Sequence, residues 1–171
     1  LGTGHSVDQY RETSNLVGEL AAARAQVDKP CERSSYIADQ IARFPVLLDE
    51  LLDPQLYTEA VTRADIAADL QARLDYEDED SESRMQAMAQ FQRSTMFRIA
   101  VADFNGRLPI MKVSDGLTWL AEAVLEEALR VAWSEITERH GVPRYTVNGV
   151  SQEAGFGIIA YGKLGGLELS Y

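Results

Sequence analysis

The residues best suited to chemistry lie together in Gly155-Phe156-Gly157-Ile158-Ile159-Ala160-Tyr161-Gly162-Lys163-Leu164-Gly165-Gly166. Phe156 to Tyr161 is short, apolar and bounded by glycines, the composition of a strand buried on both faces. Paired glycines after such a strand let backbone N–H groups approach a phosphate with no Cβ in the way. A plain tight turn would use the same pair, and an ordinary exposed lysine would look no different from Lys163. Two nucleotide motifs nearly match. Gly155, Gly157 and Ala160 carry the letters of a dinucleotide fingerprint, but they precede or occupy the strand, whereas that mechanism needs them in the turn after it. Gly157, Gly162 and Lys163 follow a P-loop until Leu164 takes the place of the Ser or Thr that holds Mg²⁺. Neither motif is present.

Other candidates are weaker. Asp75 to Glu82 concentrates carboxylates, yet lacks the glycine and the closing bidentate glutamate of an EF-hand loop. It reads as a solvated linker whose last acids sit at a helix N-terminus, where the macrodipole favours negative charge. His5 and His140 form no HExxH or triad pattern, and His140 suits the last turn of a helix. Cys31 is the single cysteine, which excludes an intramolecular disulfide or a CxxC pair and fits a reducing compartment. No apolar run reaches the ~18–20 residues of a membrane span, and no signal peptide opens the sequence, so a cytoplasmic location is expected.

The elements that must position these residues are mostly helical. Val7 to Val27 has helical apolar spacing with Pro30 as a stop. Ser34 and Ser35 are N-cap candidates for a short helix through Ile37 and Ile41. Pro45 suits the first turn of another helix, bearing Leu47, Leu48, Leu51 and Leu52, which Asp53-Pro54 ends. Leu56 to Leu74 is helical again. A long helix runs from Ser81 to Phe104, roughly 35 Å, with Met85, Met88, Met96, Ile99 and Phe104 as buried candidates; methionines at that spacing are core filler. Asn105-Gly106 ends it. Leu108 to Val113 reads as an extended connection and Ser114-Asp115 as the N-cap of a last helix reaching His140, where Gly141 and Pro143 supply the stop. Leu117, Leu120, Val124, Leu125, Leu129, Ala132 and Ile136 form its apolar face. Arg144 to Ala154 reads as a loop, with Tyr145 to Gly149 a faint hairpin signal.

Charge separates the two parts. The sequence has 16 Lys+Arg against 27 Asp+Glu, a net charge of −11, which disfavours a stand-alone nucleic-acid binder. From Gly141 onward Arg144 and Lys163 balance Glu153 and Glu168, so the whole excess belongs to residues 1–140. A lone strand is not independently stable, and no second convincing strand is legible. The expectation is therefore a mainly α chain: a helical bundle followed by the first strand and Gly-rich turn of an α/β unit that these residues do not complete.

Ala160-Tyr161-Gly162-Lys163-Leu164-Gly165-Gly166-Leu167-Glu168-Leu169-Ser170-Tyr171 resembles the start of the catalytic domain of the bacterial bifunctional glutamine synthetase adenylyltransferase/adenylyl-removing family. Arg43-Phe44-Pro45-Val46-Leu47-Leu48-Asp49-Glu50-Leu51-Leu52-Asp53-Pro54, Phe97 to Asp103 and Met111 to Ala123 agree in the same order, covering most of residues 31–171. The resemblance implies residues 31–141 as a helical connector and 142–171 as the beginning of a nucleotidyltransferase domain, with 1–30 unplaced. Family members carry two such halves, one removing AMP from glutamine synthetase and one attaching it; Lys112-Val113-Ser114-Asp115 and Tyr161 resemble the attaching, C-terminal half. It implies ATP and Mg²⁺ as cofactors, with Gly165, Gly166 and Lys163 toward the phosphates. A Ser-Asp-x-Asp motif would supply the metal carboxylates, and the target tyrosine hydroxyl would attack the α-phosphorus as pyrophosphate leaves. Ser170-Tyr171 falls just before that motif, so no catalytic or metal residue is assigned, Glu168 is no substitute, and the 171 residues alone are expected to be inactive. Glutamine synthetase is the implied protein substrate, glutamine a possible effector and a PII-type protein the signalling partner. The alternative from a different class is a helical docking connector that binds glutamine synthetase or the PII-type protein.

Overall fold

A computed structural model describes residues 34–52, 61–76 and 80–170. The helix expected at Val7–Val27, the Asp53-Pro54 stop and the first residues of the Leu56–Leu74 helix lie outside that range. The described chain is mainly helical, with one two-stranded antiparallel sheet, and falls into two compact units.

The first unit joins residues 34–52 to residues 94–113. Ser34 begins α1 (Ser35–Arg43) in the extended conformation, and a 3₁₀ helix follows over Pro45–Leu52. The Pro45 segment is thus wound more tightly than the α-helix that its leucines suggest. Ile37 and Leu47 pack with Phe97, Ala100 and Val101 in one cluster, with Tyr36, Ile41, Phe44 and Phe104 against it. Every position from Ser94 to Ala102 is buried or half-buried, so this stretch lacks an exposed face. Phe97 has no exposed surface, and truncating a buried aromatic costs about 3–5 kcal/mol.

The second unit joins residues 61–93 to residues 114–170. Helix α2 (Arg63–Leu74) starts at Thr62 through a reciprocal capping box: the Thr62 hydroxyl accepts the Asp65 N–H at 3.2 Å, and the Asp65 carboxylate accepts the Thr62 N–H at 2.9 Å. The pattern Thr62-x-x-Asp65 is legible in sequence, and it places the start later than the apolar spacing from Leu56 alone suggests. Ile66, Leu70 and Leu74 form the buried stripe.

Helix α3 occupies Ser81–Phe104, as its periodicity predicts. Asp80 caps it by accepting the N–H groups of Glu82 and Ser83 at 3.0 and 2.9 Å. The acids before α3 therefore end in a helix cap, and among the described residues no group of three His, Cys, Asp or Glu side chains is placed to hold a metal. Met88 and Ile99 are buried and Met96 and Phe104 half-buried, but Met85 is exposed.

Gly106 closes α3 at φ 68°. Helix α4 then runs over Ile110–His140, beginning before the Ser114-Asp115 cap and inside the Leu108–Val113 segment expected to be extended. The Pro109 carbonyl accepts the N–H groups of Lys112 and Val113, and proline before a first turn sacrifices no helical donor. Ser114 and Asp115 are thus inside the helix. On α4, Leu117 and Leu120 are buried, whereas Leu125 and Ile136 are exposed.

Beyond Gly141, in the left-handed region at φ 76°, the faint hairpin signal proves correct and the loop reading does not. Strands β1 (Arg144–Val147) and β2 (Val150–Glu153) pair with Arg144 opposite Glu153 and Val147 opposite Val150. Asn148 and Gly149 turn between them at φ 52° and 79°, the backbone that Asn-Gly adopts most readily. Arg144 Nη1 meets Glu153 Oε1 at 2.8 Å. The strand expected at Phe156–Tyr161 is absent: residues 154–161 have no regular structure, and Phe156, Ile158, Ile159 and Tyr161 are exposed. A strand requires a ladder partner, and the sheet among the described residues consists of β1 and β2 alone.

Two expectations follow. Thr62→Ala removes one half of the capping box and should lower the unfolding free energy by about 1 kcal/mol in urea titration. Bonding from Thr62 holds the Asp65 carboxyl below its ordinary value, and bonding from Ser83 does the same for Asp80. A carboxyl whose pKa falls on folding stabilises the fold above its unfolded value, about 3.9, and that contribution disappears as pH drops through the folded value. Asp80→Asn should therefore give a flatter acid limb when stability is measured between about pH 5 and 2.

Candidate functional site

The structure brings Lys163, Gly165 and Gly166 into one turn. Tyr161 enters in the extended conformation at φ −127°, Gly162 reverses the chain at φ 61°, and Gly162–Gly165 forms the single helical turn α5. Gly162 needs the freedom of glycine, since a side chain at that φ is strained. Leu167 adopts φ 57° on leaving the turn.

Gly165 is demanded by proximity. A Cβ there would lie 2.6 Å from the backbone oxygen of Ala160, an atom that cannot swing aside. A Cβ at Gly166 would lie 3.2 Å from the Gly162 oxygen. The amides are also engaged: Gly165 N–H points to the Tyr161 carbonyl at 3.4 Å and Gly166 N–H to the Gly162 carbonyl at 2.8 Å. Leu167 donates to Leu164 at 3.3 Å, and Glu168 donates to Lys163 at 2.7 Å. The glycines thus permit a tight reversal, and their own N–H groups serve it rather than an external anion. Lys163 is exposed on the turn and supplies its positive charge.

The turn borders a groove of about 370 Å³ whose other wall is α4, with Glu122, Leu125 and Leu129 facing Ala160, Leu164 and Gly165. At its rim Arg63 Nη2 meets Glu122 Oε2 at 3.0 Å. One further tie reaches past the turn: Ser114 Oγ donates to the Leu169 carbonyl at 3.0 Å. The cap reading of Ser114 missed this bond, because nothing in local spacing pairs residues 55 positions apart. A second polar cluster holds the nearly buried Glu127, which accepts from Arg130 Nε at 2.8 Å and meets Arg84 Nη1 at 3.5 Å. Glu127 pushes the Arg130 guanidinium to a still higher pKa, first through its hydrogen bonds.

The fit to the implied cofactors is partial. Lys163 offers a phosphate a cation, whereas the described residues offer Mg²⁺ no set of carboxylates, so no step is routed through a metal here. The steric reading is testable. Gly165→Ala should speed amide hydrogen exchange at Gly166 and Glu168, while Gly157→Ala, whose Cβ would meet open space, should leave both unchanged.

Comparisons with known proteins agree with the resemblance. Residues 24–171 match the family described as Glutamate-ammonia ligase adenylyltransferase. The chain is 44% identical over 157 residues to the Bifunctional glutamine synthetase adenylyltransferase/adenylyl-removing enzyme of Shewanella loihica, covering 91% of this chain and 16% of that protein. It is 45% identical over 158 residues to the enzyme of the same name from Thioalkalivibrio sulfidiphilus, covering 92% and 16%. The Shewanella oneidensis enzyme is 45% identical over 157 residues. The chain therefore spans about 16% of the length of these curated relatives. On a match that covers residues 24–171, the chain belongs to the glutamate-ammonia ligase adenylyltransferase family.

Proposed function

We propose that this chain serves an enzyme that transfers AMP from ATP to a tyrosine of glutamine synthetase and removes it again, regulating nitrogen assimilation. The observation that carries this reading is the sterically enforced turn Gly162–Gly166 with Lys163 exposed upon it, in a chain of this family. In that reading residues 142–171 begin the nucleotidyltransferase domain of the adenylylating half and residues 31–141 form its helical connector. Gly165 and Gly166 act by keeping the backbone narrow where the nucleotide passes, and Lys163 meets phosphate charge. ATP and Mg²⁺ are the cofactors, a tyrosine hydroxyl displaces pyrophosphate from the α-phosphorus, and glutamine acts as effector. The setting is cytoplasmic; among the described residues no helix is long and apolar enough to cross a membrane.

The 171 residues contain no Ser-Asp-x-Asp, so this chain by itself should be catalytically silent. Incubated with α-labelled ATP, Mg²⁺ and glutamine synthetase, it is expected to leave the synthetase unlabelled while a full-length relative labels it in parallel. Label transferred by the chain alone overturns the claim. A second reading, docking of the helical part to glutamine synthetase or a PII-type signal protein, draws support from Leu125 and Ile136, which α4 leaves exposed. A pull-down with each protein separates docking from a spacer's duty, and loss of capture in Ile136→Ser would place the contact on α4.

A further inference from the structure

Ser114 is the fifth residue of α4 and half-buried. Its own carbonyl accepts the Thr118 hydroxyl at 2.9 Å, and Thr118 is fully buried, so the Ser114 hydroxyl is presented from a helical turn packed in place. The acceptor, Leu169, is half-buried between exposed Glu168 and Ser170, and no helix or ladder holds residues 168–170. Beyond the Leu167 N–H, which returns to the Leu164 carbonyl at 3.3 Å, two bonds hold residues 168 and 169 as the backbone leaves the glycine turn. Glu168 N–H returns to the Lys163 carbonyl at 2.7 Å, and the Leu169 carbonyl is anchored on Ser114 at 3.0 Å. Between the turn and these anchors lies Leu167 at φ 57°, a conformation that a leucine holds only when its surroundings compel it.

We propose that Ser114 is a positioning residue for the nucleotide turn: its hydroxyl pins the segment after Gly166 to α4 and so holds Lys163 to Gly166 in the form that meets the triphosphate. This rests on the nucleotide reading of the turn. A cap at the start of α4 would leave the Leu169 carbonyl untouched, whereas the observed bond closes a loop of which Lys163, Gly165 and Gly166 are members.

The test uses the 171-residue chain, amide hydrogen exchange and NMR titration with ATP. Ser114→Ala should speed exchange at Gly166 and Glu168 about threefold to tenfold, the loss of roughly one net hydrogen bond. Exchange at Leu70 and Leu120, buried in the same unit as Ser114, should not change, which distinguishes local loosening from unfolding of that unit. The ATP concentration that half-saturates shifts of the Lys163 to Gly166 amides should rise about threefold or more, in proportion to the same bond. Ser114→Thr keeps a hydroxyl and should restore both readouts. Unchanged exchange in Ser114→Ala, or failure of threonine to restore it, overturns the positioning role. Faster exchange with unaltered ATP saturation overturns its bearing on the nucleotide. If ATP shifts no turn amide in the unsubstituted chain, the nucleotide reading itself fails, while the exchange result still decides what Ser114 holds.

Discussion

In the second unit α4 has to satisfy three different neighbours along one helix. Ser114 bonds the segment beyond the glycine turn, Glu122 pairs with Arg63 at the start of α2, and Glu127 and Glu135 take Arg84 and Ser81 from the start of α3. Steps of eight, five and eight residues turn roughly 80°, 140° and 80° around an α-helix, so these ties leave α4 on different sides. Glu127 shows the constraint most clearly. A carboxylate with so little exposure is costly unless its lone pairs are filled, and Arg84 and Arg130 fill them from two directions. Rotating α4 by a single residue would break these ties together.

The glycine turn depends on that helix yet obeys its own steric rule. Ala160 and Gly165 approach so closely that no side chain fits between them, and the reversal consumes the amides that a phosphate cradle would otherwise present. The acidic excess of residues 1–140 does not extend to this segment, whose own charges balance and which carries Lys163 exposed on the turn.

Much of the helical order was readable from particular residues. Asn105-Gly106 and Gly141-Val142-Pro143 mark the ends of α3 and α4, and Ser81 and Phe104 bound α3 as their spacing implies. Thr62-x-x-Asp65 carried the start of α2, outweighing apolar residues before it. Ser114-Asp115 misled because good capping residues also occur inside helices, and Pro109 had already begun the turn. The apolar run Phe156–Tyr161 misled for a different reason: its composition states what a strand would bury, not whether a ladder stands beside it.

By itself the sequence determined the bounds of α3, the end of α4 and the family, and it signalled the Asn148-Gly149 reversal faintly, because each resides in contiguous residues whose backbone preferences or order are local. Only the tertiary structure decided that residues 154–161 stay outside any ladder among the described residues, that Gly165 is required by the Ala160 carbonyl, and that Ser114 reaches Leu169. These are meetings between groups brought together by packing, the last of them 55 residues apart. No periodicity or propensity encodes such a meeting until the chain has folded.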